Sequence, residues 1–253
     1  MEGKRMKSKD KNISRRAFLK TSGVATGALI GGGLLGGLIG YNAKNATTPT
    51  ETKHGDHTET RMLDKGRMFF TNDREFQVLS NATERIFPKD DLGPGAIDLG
   101  VPYFIDSQLA GQYGSNSKEY MQGPFAVGAP TQGYQSRLTR AEIFRQGIAK
   151  MEAEASSRFD KGFSDLEGAQ MDEILTAIQK DEIKMEGTTS TFFFRLLRTA
   201  TLEGAYSDPM YRGNNNMDGW RMKEFPGHQM AYINVIDSEK FQKIEPQSLS
   251  GKH

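Results

Sequence analysis

The chain has 253 residues, of which 36% are hydrophobic, and its formal net charge at pH 7 is +1. A nearly neutral chain lacks the strong one-signed field that nucleic acid requires, so we predict no nucleic-acid partner. The sequence contains no cysteine, which excludes disulfides, thiolate-bound zinc or iron–sulfur clusters, C-x-x-C-H haem attachment and a catalytic thiol.

The amino terminus has the pattern of an export signal. Residues 1–16 contain seven Lys or Arg against two acidic residues, and residues 21–41 carry no charge. This order predicts a signal peptide or a membrane anchor over residues 1–41. Between the two segments, a match to the twin-arginine motif S-R-R-x-F-L-K is formed by Ser14, Arg15, Arg16, Phe18, Leu19 and Lys20. Because twin-arginine signals direct folded proteins to their translocase, we expect export to the outer face of the cytoplasmic membrane, with the chain anchored there or released.

Three regions follow the signal. Residues 42–65 are polar and threonine-rich and are predicted to form a flexible linker. The linker contains His54 and His57, which are interpreted as solvated because a tether cannot orient metal ligands through a second shell. Residues 66–237 are predicted to form a helical domain, and residues 238–253 a polar carboxyl-terminal tail.

Five helices are predicted from capping residues and apolar periodicity. The residues that open the first four are Asn72 with Glu75, Pro102, Thr139 with Glu142, and Ser164 with Glu167. The fifth is the most apolar and contains three phenylalanines at 192–194, interpreted as core, with a partner or quinone site as the alternative. Good alternating strand patterns are absent from the sequence. The predicted fold is therefore mainly α: a small irregular helical bundle with long loops.

Patterns that carry chemistry are scarce. His228 follows a glycine turn but has no serine motif or metal-binding helix near it in sequence. No G-x-G-x-x-G follows a strand pattern, so we predict no dinucleotide site. Asn214, Asn216, Asp218 and Gly219 imitate the first half of an EF-hand loop, but its twelfth position is Phe225 rather than glutamate. Turn residues are the favoured interpretation, a weak metal site stays open, and no catalytic, cofactor-binding or metal residue is predicted in this chain.

The most distinctive residues lie in the predicted loops and in the helices beside them. They are Ile86-Phe87-Pro88, Gly95-Ala96, Gly100-Val101, Ile105-Asp106, Gly204, Ser207-Asp208-Pro209-x-Tyr211-x-Gly213-Asn214, Gly219-Trp220 and Phe225-Pro226-Gly227. In these residues the chain resembles the gluconate 2-dehydrogenase subunit 3 family, the small subunit of membrane-associated flavoprotein dehydrogenases. One position departs from the family pattern, because Arg212 stands where a second glycine is common, and positive φ would strain an arginine there.

The resemblance implies a role in a complex. A large subunit of the glucose-methanol-choline type would bind FAD and oxidise the substrate, and a cytochrome c subunit would be a further partner. The small subunit would hold no redox centre, and its signal would export the folded flavoprotein. The residues expected at the subunit interface are Gly95, Gly100, Pro102, Pro209, Tyr211, Gly213, Asn214, Trp220, Pro226 and Gly227.

Two alternatives remain open. The first is a free-standing exported carbohydrate-binding or enzymatic domain that uses the loop from Tyr211 to Trp220, since aromatic residues on a rigid loop suit recognition. The second is a structural membrane protein assembled through the small-residue spacing of Gly23, Gly27 and Gly31.

Overall fold

The computed structural model describes residues 66–126, 128–129, 132 and 135–250. They belong to the unit that spans Lys65–His253. The predicted export signal, the anchor and the linker, including both motif arginines, lie outside the described residues. Within the part of the chain that the structure describes, no helix combines the length and apolarity needed to cross a bilayer.

Six α-helices and no strand occur among the described residues, which confirms the mainly α prediction. The helices are α1 Asp73–Ile86, α2 Val101–Ala110, α3 Arg140–Phe159, α4 Gly168–Gln179, α5 Ser190–Tyr206 and the short α6 Asp218–Arg221. Single 3₁₀ turns lie at Phe163–Asp165, Pro209–Tyr211 and Asn215–Met217. The bundle is irregular because the loops between its helices are long. The distinctive residues named above lie in these loops and in the helix ends and helices beside them.

The helix starts agree with the capping predictions to different degrees. Thr139 and Glu142 form the predicted reciprocal pair: Glu142 N donates to Thr139 Oγ1 at 3.3 Å, and Thr139 N donates to Glu142 Oε2 at 2.7 Å. The prediction for Ser164 is wrong, since Ser164 lies within a 3₁₀ turn. Helix α4 begins one turn later, after Glu167, whose backbone N–H donates to Gln170 Oε1 at 3.0 Å.

Helix α1 begins at a different hydrogen bond from the one predicted. Asn72 Oδ1 accepts from Arg74 N at 2.9 Å rather than from Glu75 N. An asparagine that binds the N–H two residues on satisfies one of the four unpaired donors at a helix start. The predicted starting position of the helix is therefore correct, while its cap has a different geometry.

The core is organised around α5, which contacts α1, α2, α3 and α4. Phe193 of α5 is fully buried, and its ring meets the ring of Phe144 of α3 edge to face, with centroids 5.6 Å apart. Phe193 also packs directly against Gly147, where any larger side chain would overlap the ring. The prediction that the most apolar helix is central is thus confirmed, since α5 contacts four other helices.

Only two of the three consecutive phenylalanines belong to this core. Phe193 and Phe194 are buried, whereas Phe192 is half-buried and lies under the guanidinium of Arg195 at 4.8 Å. Successive residues of an α-helix are rotated by about 100°, so three in a row cannot all face one core. The core interpretation is correct for Phe193 and Phe194 and wrong for Phe192.

The segment that enters α1 is fixed by Asp106 on α2. This buried carboxylate accepts three backbone N–H groups, from Met68 at 2.6 Å, Phe69 at 3.1 Å and Phe70 at 2.8 Å. Three backbone donors satisfy a buried carboxylate without a cationic partner. Asp106 therefore fixes the start of the described chain to the helical bundle.

Candidate partner-binding surface

The two loops predicted to form an interface lie against each other. The predicted stretches are residues 95–102 and 209–227. They lie in two longer segments, here called the first loop, residues 87–102, and the second loop, residues 207–227. Asn215 in the second loop joins them, because its backbone N–H donates to Leu99 O at 3.0 Å and its side-chain amide to Asp98 O at 2.8 Å. Residues more than a hundred positions apart are thereby held in one surface. In the sequence they belong to two separate stretches.

The first loop is folded around the carboxylate of Glu84. Glu84 Oε1 accepts from Lys89 N at 3.1 Å, and Oε2 accepts from Ile97 N at 2.9 Å. Gly95 is buried against the same carboxylate, where a Cβ atom would collide with it. Gly95 thus shapes this loop from within, and the exposed residues of the loop, Lys89, Asp91 and Leu92, lie before it.

Gly100 lies at the contact between the two loops. Its φ of +75° is a left-handed conformation, and a Cβ atom there would stand 3.0 Å from Arg212 O and 2.9 Å from the Asn215 side chain. Pro102 follows in the first turn of α2 and is buried. The predicted interface residues of the first loop are therefore structural: they allow the second loop to approach closely.

Asn214 holds the second loop together from its interior. The residue is fully buried, its amide nitrogen donates to Ser207 O at 2.8 Å, and its amide oxygen accepts from Gly219 N at 2.8 Å. Gly213 and Gly219 are buried against backbone carbonyls of α5. Both ends of the Asn214 amide are therefore used within the loop.

Arg212 adopts the conformation that the departure from the family pattern suggested. Its φ is +77°, in the left-handed region where an arginine is strained. Its side chain donates to Gly66 O and lies over the ring of Tyr103 at 5.8 Å. These contacts tie the strained residue to the amino-terminal end of the domain.

Trp220 belongs to the interior of the second loop. Only 6% of the residue is exposed, and its indole N–H donates to Tyr206 O at 2.8 Å. A sugar-binding site of the kind considered above would need this ring at the surface to stack on a ligand. The burial of Trp220 therefore removes the main support for the free-standing carbohydrate-binding alternative.

The second loop exposes three large apolar side chains alongside the charged Arg221, Lys223 and Glu224. Met210, Tyr211 and Phe225 are each about half exposed. Pro209 begins the 3₁₀ turn that presents Met210 and Tyr211, and the ring of Phe225 rests on Trp220, with centroids 5.4 Å apart. Of the predicted aromatic contact residues, Tyr211 is thus available to a partner and Trp220 is not.

A second feature of this surface was not recognised in the sequence. Residues 228–247, here called the C-terminal arm, leave the second loop at Gly227 and return to it, because His228 N donates to Gln247 O at 2.7 Å and Gln247 N to Pro226 O at 3.1 Å. The predicted polar tail begins inside this arm, at residue 238. The signal that could have revealed the arm is its apolar content, which includes Met230, Ile233, Ile236 and Phe241.

Asp208 fastens the chain after the arm to the second loop. Its carboxylate accepts from Ser248 Oγ at 2.6 Å and from Leu249 N at 2.8 Å, and also from Met210 N at 3.0 Å. Burial acts to raise the pKa of Asp208, but these hydrogen bonds and the nearby His228 outweigh it and lower the pKa. The charged carboxylate is therefore the form that closes the arm.

These features define a helical domain in which buried motif residues hold two loops together and leave neighbouring side chains exposed. The chain belongs to the gluconate 2-dehydrogenase subunit 3 family, whose model matches residues 73–227, more than half of its length. The resemblance inferred from the loop residues is thereby confirmed, and the protein is a subunit of a gluconate 2-dehydrogenase type complex. No curated protein and no solved structure matches the chain.

Proposed function

We propose that this chain is the non-catalytic small subunit of an exported FAD-dependent dehydrogenase complex. It carries the folded flavoprotein through the twin-arginine pathway and then stabilises or tethers it at the outer face of the cytoplasmic membrane. The observation that carries the proposal is the S-R-R-x-F-L-K sequence at residues 14–20 in a member of this subunit family. A signal that moves folded proteins suits a chain whose cofactor-bearing partner folds before export.

The partner is a large subunit of the glucose-methanol-choline type, whose FAD would take a hydride from an alcohol carbon of a sugar or sugar acid. A cytochrome c subunit would receive the electrons. The present chain contributes binding and no redox group of its own, in keeping with the lack of any cysteine to ligate iron or attach haem. The contacts between the two loops support a binding role without redox chemistry, since the motif residues of this chain are used in holding the loops together.

The test is purification of the carboxyl-terminally tagged chain from detergent-solubilised membranes of its own cell. We expect a large second band and the visible absorption of flavin. The double variant Arg15→Lys/Arg16→Lys should leave the flavoprotein in the cytoplasm, because lysine keeps the charge but lacks the planar guanidinium. Arg5→Lys, outside the motif, is the matched control and should leave export unchanged. A single colourless band, or equal export by the double variant and the control, would overturn the proposal.

A further inference from the structure

The C-terminal arm presents its largest apolar side chains to solvent. Met230, Ile233, Ile236 and Phe241 are 88%, 79%, 73% and 82% exposed. Soluble proteins rarely expose clustered apolar surface of several hundred Å², and where they do it commonly marks a site of interaction. The arm therefore supplies the three most exposed large apolar side chains among the described residues, those of Met230, Ile233 and Phe241.

The arm is held in place at its base. In addition to the paired backbone at Gly227 and Gln247, Lys243 Nζ lies 3.2 Å from Glu224 Oε1, and Asp208 fixes the residues that follow the arm. Within the arm, Val235 N donates to Tyr232 O at 2.9 Å, forming a turn. A segment with a fixed base loses less conformational entropy on binding than a free tail would lose.

The charge of the arm favours a protein over a lipid surface. Asp237, Glu239 and Glu245 oppose Lys240 and Lys243, so the arm has a net charge of −1 with histidine neutral. Segments that bind membranes combine apolar residues with an excess of lysine and arginine, which anionic lipids attract. This arm lacks that excess, so its apolar side chains suit an apolar groove on a protein.

The arm is also continuous with the second loop. Gln247 at its base is bonded to Pro226, and the residues that follow the arm are bonded to Asp208. The exposed apolar residues Met210, Tyr211 and Phe225 lie in the same loop. We propose that the C-terminal arm is the principal docking element for the flavoprotein subunit, with its apolar side chains in a groove of that subunit. This inference rests on the proposed function, which supplies the partner.

The experiment compares two double variants in the full chain, expressed with its complex in its own cell. One is Ile233→Ser/Phe241→Ser in the arm, at residues that are 79% and 82% exposed. The matched control is Met68→Ser/Tyr120→Ser, at large apolar residues that are 62% and 78% exposed and lie outside both the arm and the two loops. Because all four side chains are largely in solvent, neither variant removes core packing.

We expect the amount of flavoprotein that copurifies per tagged chain to be about tenfold lower for the arm variant than for the control. The control should match the wild type. Equal retention by both variants, with the wild type carrying its flavoprotein, would overturn the docking role and leave the proposed function intact. A wild type that carries no flavoprotein would instead overturn the proposed function. Loss of membrane association or of self-association by the arm variant, with the flavoprotein retained, would also overturn the inference and indicate a lipid surface or a second copy.

A crosslinking measurement does not depend on how a variant folds. A photoreactive benzoylphenylalanine placed at Phe241 should crosslink to the large subunit, while the same group at Tyr120, which is also highly exposed, should not. A Phe241 crosslink only to another copy of this chain or only to lipid would overturn the inference.

Discussion

The helical bundle and the carboxyl-terminal loops of this domain are stabilised by different forces. In the bundle, apolar side chains of α5 pack against four other helices, and burial of apolar surface is the dominant favourable term. In the loops, polar side chains bind backbone groups: the buried Asn214 within its own loop, and the half-buried Asn215 and Asp208 across long separations in sequence. The bundle therefore tolerates changes that preserve volume and polarity, while the loops depend on particular side-chain atoms.

This difference has a functional consequence. A surface that must present side chains to a partner cannot bury them, so it needs another way to hold its backbone. Buried and half-buried amides and carboxylates hold the backbone of the loops, and the exposed positions between them are left for contacts. The two regions should consequently respond to substitution in different ways, the bundle by global unfolding and the loops by local opening.

The largest expected effect is in the bundle. Phe193→Ala removes a fully buried ring that fills the space between α5 and Gly147 of α3. We expect the free energy of unfolding to fall by about 4 kcal/mol, measured by urea denaturation of the domain. Phe192→Ala is the matched control and should cost only about 1 kcal/mol, because that ring is half-buried. An equal loss of unfolding free energy in the two variants would show that α5 does not pack against α3 as described.

The next effect is in the second loop and should remain local. Asn214→Ala leaves the N–H of Gly219 and the carbonyl of Ser207 without their partner, at a cost of about 2 kcal/mol. Hydrogen exchange at the Gly219 amide should accelerate accordingly, while exchange at the buried Leu197 of α5 should stay unchanged. The measurement is exchange by NMR or mass spectrometry under native conditions.

Asn216→Ala is the control for this variant. Asn214 and Asn216 both have left-handed backbone conformations, with φ of 49° and 57°, but Asn214 is buried and Asn216 exposed. Both substitutions therefore carry a similar conformational cost, and only the first removes the interior hydrogen bonds. If Asn214→Ala accelerates exchange in α5 as strongly as in the loop, the two regions unfold as one unit. The distinction between global unfolding of the bundle and local opening of the loops would then be wrong.

The sequence was sufficient for most of the bundle because its signals are local. Thr139 with Glu142, and Pro102 in a first turn, mark helix starts that the structure confirms. Ser164 misled because a second pair, Glu167 and Gln170, lies one turn further on. A capping pattern specifies a reciprocal hydrogen bond, and it does not specify which of two overlapping patterns forms.

The loop surface could be predicted only in part. Family residues located both loops, but nothing in their order shows that Asn215 joins the loop of Leu99, because that contact spans most of the domain. The sequence around an aromatic residue in a glycine-rich loop also does not distinguish an exposed residue such as Tyr211 from a buried one such as Trp220. Burial there is decided by long-range packing, which single-sequence patterns do not contain.

The smallest expected effect concerns the closure of the C-terminal arm and depends on pH. The pKa of Asp208 is lowered in the folded protein, so the closure is stabilised at pH values above the ordinary aspartate pKa of about 3.9. This stabilisation should be lost as the pH falls through the lower pKa of the folded state, where the carboxylate takes up a proton. The measurement is hydrogen exchange at the Leu249 amide as the pH is lowered, corrected for the intrinsic exchange rate. The protection of this amide should decline as the pH falls.

Asp208→Asn separates this closure from general acid effects. The carboxamide keeps one acceptor oxygen, so it cannot replace both carboxylate oxygens that bind Ser248 and Leu249, and protection at Leu249 should be low at neutral pH and nearly independent of acid. Asp237→Asn, at an exposed position within the arm, should behave like the wild type. If Leu249 keeps its acid-sensitive protection in the Asp208 variant, another group closes the arm. If the protection disappears while α5 remains protected, the arm opens independently of the bundle, as expected for loops held by single polar contacts.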